Sequence, residues 1–373
     1  MTDRGAFTWA RASQIGQAFL DGFVESSRAA FFAMLAGMVL MIVLAAWYFS
    51  YATLSGPFGA YLARSSADVD GHATYRALQL GGQVDNRPTV LILGSSVSAS
   101  AFAFEDLTAE AISNETGQDW RVGLLTTALQ SPVDQFALIE TALQSADRKT
   151  QPVVIVLGVD VTLNGWTPEK ILEIDSEPRL GIRSDWADDE IARLGGTPRP
   201  RSSFYIAENW RFFIVNGGKA MMRFLTRTAA VPRLDIFAPD ENLPRNQRDG
   251  DLIANQIRTS FKPDNDGILE SLRVLSDHLD SFDNARLILL HELPSPDLVK
   301  DAQLEDIIAA ERARYIDFAQ EIGAQYWSPF TELNIPARTF HDSYHIGQAD
   351  TQQRLRAALA RQIAGLTKGK NDG

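Results

Sequence analysis

Short apolar runs that alternate with helical segments constrain the fold of this chain more than any other feature. The run Pro152–Leu157 is apolar throughout, as expected for a strand that helices cover on both faces of a sheet. Alternation of such strands with helices predicts a three-layer α/β domain built on a parallel sheet with right-handed crossovers. The five predicted strands are Thr89–Leu93, Trp120–Leu125, Pro152–Leu157, Leu287–Leu290 and Ala324–Trp327.

Helix start and stop signals lie between these strands. Ser131 supplies a capping side chain and Pro132 a first-turn proline, while Gly117 and Gly323 are suited to end helices. The predicted helices are Phe104–Glu115, the segment that Ser131 opens, residues 268–279, Gln303–Glu321 and Ala349–Ala364.

One connection is much longer than a crossover requires. Residues 161–283 separate strand three from strand four, whereas such connections usually need a few tens of residues at most. This insertion begins at the carboxyl edge of the sheet, so we expect it to wall or cover a site there. Within it, Phe204–Thr226 mixes aromatic and basic residues, which fits either a packed helix with snorkelling Arg side chains or a helix on an anionic membrane surface.

The N-terminal region contains a run long enough to cross a membrane. Ala30–Phe49 is uncharged, about the 20 residues that a ~30 Å hydrocarbon core requires, and closes with the aromatic pair Trp47 and Tyr48. The predicted organisation is a cytoplasmic segment 1–28, a transmembrane helix 29–51, a tether 52–87 and a main domain 88–368.

Charge gives the orientation and excludes one class of partner. Arg4, Arg11 and Arg28 precede the apolar run and only Arg64 follows it closely, which places the N-terminus in the cytoplasm and the main domain outside. We therefore expect a single-pass protein of the bacterial inner membrane with a periplasmic domain. The net charge of −12 argues against nucleic-acid binding, and the absence of cysteine is compatible with an oxidising compartment.

Two short motifs carry the chemistry. Gly94-Ser95-Ser96 directly follows strand one, at the sheet edge where ligands of α/β folds bind. In Asp342-Ser343-Tyr344-His345, an Asp three residues before a His can orient its imidazole. Together they supply the nucleophile Ser96, the base His345 and the orienting group Asp342 of serine-based acyl transfer.

Other residues near these motifs have simpler interpretations. Ser98 and Ser100 are the nearest rival nucleophiles, but they follow in the next turn and are expected to point away. His341 lacks the spacing of the base and is expected at the surface or in the pocket wall. No metal site is expected, because the pair His341 and His345 has no third ligand nearby. His291 and Glu292 close strand four and are expected to line the pocket.

The two motifs resemble blocks of the SGNH (GDSL-type) hydrolase superfamily, in which G-D-S follows the first strand and D-x-x-H precedes the last helix. Ser95 stands in place of the family's Asp, and Ser96 corresponds to its nucleophile. The chain is more similar still to the membrane-anchored branch of alginate O-acetylation proteins and teichoic acid D-alanine transfer proteins, where G-S-S openings occur. The resemblance covers Pro88–Asp160 and Asn284–Ala364 and implies an SGNH, flavodoxin-like fold.

The oxyanion side departs from the family pattern. A Gly of the second block is absent from the stretch 126–130, and Asp160 takes the place of an Asn that would donate to the oxyanion. An ionised Asp accepts hydrogen bonds and cannot donate one. The candidates for the oxyanion site or the pocket are Gly94, Gln130, Gly158, Asp160 and Asn164, together with backbone N–H groups.

The resemblance implies a membrane-anchored, extracytoplasmic serine esterase or O-acyltransferase that needs no cofactor. Its substrate would be an acyl ester, most often acetyl, of a cell-envelope or secreted polysaccharide, and its partners a membrane-bound acyltransferase and the lipid bilayer. The altered oxyanion residues leave an alternative from another class. In that alternative the protein is a catalytically weak scaffold subunit of a membrane acyltransferase complex.

Overall fold

The computed structural model describes residues 13–14, 17–18, 27–48, 69–127, 129–175, 180–182, 184–198, 212 and 249–368. Its centre is a five-stranded sheet in the order β2-β1-β3-β4-β5, and every strand pair is parallel, as the sequence predicts. The strands are β1 (Thr89–Leu93), β2 (Arg121–Leu124), β3 (Val153–Val159), β4 (Ala285–His291) and β5 (Gln325–Trp327).

Helices after residue 68 connect the strands and cover both faces of the sheet, and one further helix precedes them in the chain. They are α1 (Ser27–Tyr48), α2 (Val69–Gly82), α3 (Ser96–Ala101), α4 (Glu105–Thr116), α5 (Pro132–Ala142), α6 (Pro168–Asp175), α7 (Asp185–Arg193), α8 (Asp249–Ser260), α9 (Gly267–Leu279), α10 (Pro296–Asp301), α11 (Glu305–Glu321), α12 (Pro329–Glu332) and α13 (Ala349–Lys368). Single 3₁₀ turns occur at Leu163–Gly165 and Ala337–Thr339.

Local signals determine several helix ends. Gly117 adopts a left-handed conformation with φ of 72° after α4, which only glycine accepts without strain. Before α5, the Ser131 hydroxyl accepts from the Asp134 N–H while the Asp134 carboxylate accepts from the Ser131 N–H, a reciprocal capping box. Both ends were predicted from the sequence and are confirmed.

The core lies on both sides of the sheet because successive residues of each strand point to opposite faces. From β1, Leu91 and Leu93 join the core beneath α2, α5 and α9, whereas Val90 and Ile92 join the core beneath α4 and α13. Strands β3 and β4 run further than the apolar pattern predicted, since pairing of Val159 with His291 extends the sheet beyond Leu157. The residues that follow these strands therefore begin directly at the functional edge.

The predicted tether 52–87 is wrong in the part that the structure describes. Residues Val69–Gly82 form α2, in which Tyr75, Leu78 and Leu80 are buried in the core. A Cβ at Gly81 would overlap the carbonyl oxygen of Thr141, so this glycine permits close packing of α2 on α5. The glycines and polar residues that suggested an irregular linker instead belong to an amphipathic helix of the domain.

Only parts of the insertion 161–283 are described: the turn Leu163–Gly165, helices α6 to α9 and a few intervening residues. Helix α9 packs on the sheet and completes the crossover to β4. The aromatic segment Phe204–Thr226 lies outside the described residues apart from Phe212, whose ring packs edge-on against Tyr75 with 5.6 Å between centroids.

Helix α1 covers most of the predicted transmembrane segment 29–51. Its side chains are described only for residues 31–44, and all of them are exposed. Within the part of the chain that the structure describes, no helix is long and apolar enough to cross a membrane. Residues 49–51 of the predicted transmembrane segment and 52–68 of the predicted tether lie outside the described residues, as does most of the predicted cytoplasmic segment 1–28.

Candidate active site

The turn between β1 and α3 presents Ser96. Gly94 has a φ of +139°, a conformation that L side chains rarely adopt, and its N–H donates to the Gln130 amide oxygen at 2.7 Å. Ser95 then caps α3, its hydroxyl accepting from the Val97 N–H at 3.0 Å. Ser96 is the first residue of α3 and is partly exposed at the carboxyl edge of the sheet.

A continuous chain of hydrogen bonds joins the two motifs. The Ser96 Oγ lies 2.7 Å from the His345 Nε2, although the two residues are 249 positions apart. The His345 Nδ1 lies 2.7 Å from the Asp342 Oδ2. These are the contacts that a nucleophile, a base and an orienting carboxylate require, and the predicted trio is assembled in the folded chain.

The loop that carries Asp342 and His345 is closed on itself and tied to the nucleophile helix. Phe340 and Ile346 form an antiparallel bridge, and the His341 N–H donates to the His345 carbonyl at 2.7 Å. The Ile346 N–H also donates to the Ser100 hydroxyl of α3 at 3.1 Å. The bond from Ile346 to Ser100 connects the His345 loop to the helix that begins with Ser96, and so helps to fix His345 relative to Ser96.

Asp342 is held as a carboxylate. Its Oδ1 accepts from the N–H groups of Tyr344 and His345, each at 2.8 Å. Burial acts to raise its pKa, but the hydrogen bond and charge of His345 and these backbone donors outweigh burial and lower the pKa to about 2. The contribution of the Asp342 carboxylate to the free energy of unfolding is therefore fully present above about pH 4 and is lost as the pH falls through about 2.

A buried carboxyl lies directly beneath the nucleophile turn. The Glu292 Oε2 accepts from the Ser95 hydroxyl at 2.7 Å, and its Oε1 accepts from the Ser98 N–H at 2.9 Å and from the Ser98 hydroxyl. Burial and the charge of Asp160 raise the pKa of Glu292 to about 7, against the opposing effect of the serine hydrogen bonds. Sequence reasoning placed Glu292 only in the pocket wall and missed these contacts.

The two glycines among the predicted pocket candidates make room for this carboxyl. A Cβ at Gly94 would lie 2.8 Å from the Glu292 Oε1 and 2.8 Å from the Ser98 Oγ. A Cβ at Gly158 would contact the same two side chains. The signal that could have revealed this arrangement is the pair of glycines at the ends of neighbouring strands, opposite a Glu that follows the next strand.

Neither rival serine is available as a nucleophile. Ser98 is fully buried with its hydroxyl on Glu292, and Ser100 is fully buried with its hydroxyl on the Val97 carbonyl at 2.8 Å. Ser96 is the partly exposed member of this group.

The remaining oxyanion candidates have other hydrogen-bond partners. Gln130 uses its amide to hold Gly94 and the Leu125 carbonyl, at 2.7 Å each. The Asp160 Oδ1 accepts from the N–H groups of Thr162 and Leu163 and shapes the turn after β3. Both side chains therefore support the loops around the site, and neither contacts a triad residue through these bonds.

Asn164 belongs to a separate buried network. Its amide donates to the Glu311 Oε1 at 3.1 Å, and the Glu311 Oε2 lies 3.1 Å from the His291 Nε2. The His291 Nδ1 lies 2.6 Å from the Tyr326 hydroxyl. Burial lowers the pKa of His291 to about 4, so the imidazole is neutral at pH 7. The predicted role of His291 in the pocket wall is wrong, because its side chain is wholly buried between β4 and α11.

A cavity of about 390 Å³ lies beside Asp342 and is bounded by α8, α10, Asp342 and Ser343. Helix α8 comes from the insertion, but neither Ser96 nor His345 lines this cavity. That the insertion walls the site around Ser96 therefore stays a prediction. Among the described side chains, no group of three or more His, Asp or Glu residues is placed to hold a metal ion.

No protein-family model matches the chain, and no curated protein is detectably similar to it.

Proposed function

We propose that this protein is a membrane-anchored serine esterase or O-acyltransferase of SGNH type that acts on acyl esters of a cell-envelope or secreted polysaccharide. The observation that carries the proposal is the unbroken chain from Ser96 through His345 to Asp342, with 2.7 Å at each step. The contact between Ser96 and His345 cannot arise from local sequence pairing, since the two residues are 249 positions apart and come from opposite ends of the domain. The acetyl ester is the substrate that the resemblance favours.

The proposed reaction uses each residue at a stated atom. The Ser96 Oγ attacks the ester carbonyl while the His345 Nε2 takes its proton, and the tetrahedral intermediate expels the alcohol, which receives that proton. An acyl group then remains on Ser96. Water or an acceptor hydroxyl attacks this ester, gives its proton to His345, and the intermediate collapses to return the proton to Ser96. Asp342 accepts from the His345 Nδ1–H and stabilises the transient imidazolium.

The oxyanion is assigned to the backbone. At a helix start the first N–H groups have no acceptor within the helix, and in α3 the N–H groups of Val97 and Ser98 are already taken by Ser95 and Glu292. The N–H of Ser96 is the remaining donor beside the reacting carbon. One donor fewer typically costs about 10²–10³ in rate, so we expect slow turnover compared with an enzyme that also has the Asn.

The side of the membrane is part of the proposal. The uncharged run Ala30–Phe49 and the arginines that precede it in the sequence are the support for a single span with the domain in the periplasm. A periplasm-specific reporter such as alkaline phosphatase, fused after Gly373, is expected to be active in cells. A silent fusion there, with a working cytoplasmic reporter at the same point, would contradict the orientation.

A covalent probe tests the chemistry without knowledge of the natural ester. A fluorophosphonate is expected to form one adduct on the purified protein, located by mass spectrometry on the peptide that contains Ser96. Ser96→Ala is expected to carry no adduct. A surface control such as Ser281→Ala, which removes an exposed hydroxyl that donates to the His278 carbonyl, is expected to be labelled like wild type.

The scaffold alternative rests on a specific observation. Asp160 stands in the position where the family has an oxyanion Asn. Its Oδ1 accepts hydrogen bonds from the N–H groups of Thr162 and Leu163, and a carboxylate offers no hydrogen-bond donor to an oxyanion. If folded wild-type protein with the triad intact gives no adduct at Ser96, the scaffold function becomes the better proposal. A multi-span acyltransferase that co-purifies with the full chain would then be its expected partner.

A further inference from the structure

We propose that Glu292 is a positioning residue for the nucleophile, which it aims at His345 by binding the Ser95 hydroxyl on one side of Ser96 and the Ser98 N–H and hydroxyl on the other. This inference rests on the proposed function and extends it to a residue outside the triad. Glu292 touches neither the reacting hydroxyl nor the imidazole in the structure, so its effect on the reaction would pass through the turn that it binds.

The contacts of Glu292 bracket Ser96. One carboxyl oxygen takes the hydroxyl of the preceding residue, Ser95, and the other takes the N–H and hydroxyl of Ser98, two residues further on. A side chain that is hydrogen-bonded to residues 95 and 98 restrains the backbone dihedral angles between them. These angles determine the direction of the Ser96 Oγ. The 2.7 Å contact of that oxygen with His345 depends on this direction.

Stability alone does not account for a carboxyl in this place. Glu292 is 2% exposed and makes no ion pair among the described residues, whereas buried acids are usually paired with a cation. Burial of an acid without a cation costs desolvation free energy, which the hydrogen bonds from Ser95 and Ser98 offset only in part. The fold nevertheless keeps both Gly94 and Gly158 without a Cβ, which leaves room for the carboxyl.

The residue at position 95 matches this role. A hydroxyl can accept from the Val97 N–H and donate to the Glu292 carboxyl at the same time, as Ser95 does. A carboxylate at position 95 would cap α3 equally well but would face Glu292 at hydrogen-bond distance and repel it. Ser95 and Glu292 therefore act as a pair, with the acid supplied from the end of β4.

The test measures how fast the same fluorophosphonate labels Ser96. Glu292→Ala is expected to slow labelling by about 10²-fold, the cost of a displacement near 1 Å at a reacting group. Glu292→Gln is expected to restore the rate to within about tenfold, because its carbonyl can accept from Ser98 and its amide can donate to the Ser95 oxygen. The matched control is Glu311→Ala, which removes another buried acid at the same sheet edge that contacts His291 and Asn164, and it should label at the wild-type rate.

Thermal melting keeps folding separate from positioning. If Glu292→Ala does not fold, Glu292→Met fills the space without an acceptor and is expected to show the same slow labelling. Labelling of folded Glu292→Ala or Glu292→Met at the wild-type rate overturns the inference, as does a loss in Glu311→Ala equal to theirs. Absence of labelling on wild type overturns the proposed function and this inference with it, so the two failures are distinguishable.

Discussion

Replacing Ser96 with Ala is expected to reduce ester cleavage or acyl transfer by about 10⁶-fold, and replacing His345 with Ala by a similar factor. The double variant should lose little more than either single variant, because the two side chains act as a unit in the same step. The 2.7 Å contact between the Ser96 Oγ and the His345 Nε2 is the physical reason, since neither group can begin the reaction without the other. Initial rates with p-nitrophenyl acetate, followed by acylation of the polysaccharide in cells, measure the effect.

The loop itself offers the control for these variants. His341→Ala changes the other histidine of the same loop and keeps the backbone bond from residue 341 to the His345 carbonyl, so activity near that of wild type is expected. A different result for acylation in cells would favour the scaffold alternative. Wild-type acylation in cells that carry Ser96→Ala, together with its loss on deletion of Met1–Phe49, would assign the function to the N-terminal region instead.

Asp342→Asn is expected to lower kcat by about 10⁴-fold while leaving the fold intact. The Asp342 Oδ1 accepts from two backbone N–H groups, so the Asn carbonyl would keep that position and its NH₂ would replace the Oδ2 that faces the His345 Nδ1. A donor there forces Nδ1 to become the acceptor and moves the imidazole proton to Nε2. His345 would then present a proton to Ser96 and could not remove one.

The same substrate assay and a melting curve check this expectation. Since the pKa of Asp342 is lowered to about 2, wild type carries the carboxylate throughout any practical pH range, and the contrast between the two proteins should hold across it. A loss below tenfold in a variant that melts like wild type would show that the charge and donor preference of residue 342 are unimportant.

Local signals predicted the parts of the fold that depend on local chemistry. The strand β1 was predicted to the residue, and Gly117 and Ser131 were predicted to end and begin helices, because their roles follow from backbone geometry and capping. Helix α2 was missed because its glycines and polar residues resemble a linker until Tyr75 and Leu80 are seen in the core.

The candidate site likewise contains residues that the sequence predicts and contacts that it does not. The three-residue spacing of Asp342 and His345 was enough to predict their contact. The position of Ser96 just after a strand was enough to predict it as the nucleophile. The contacts of Glu292 could not be inferred in this manner, because its partners Ser95 and Ser98 lie 197 and 194 positions away and no motif or spacing links them to Glu292. Only the order β1-β3-β4 in the sheet brings the ends of these strands together.

The early start of the domain at α2 limits how far the candidate site could lie from a membrane that holds the proposed span. With the proposed span ending at Phe49 and the domain beginning no later than Val69, about 20 residues join them, which even when fully extended reach no more than ~70 Å. A domain that began at residue 88 would have almost twice that range. Under the proposed function, the site would act only within this distance of the bilayer, and that distance would limit which polysaccharide chains reach it.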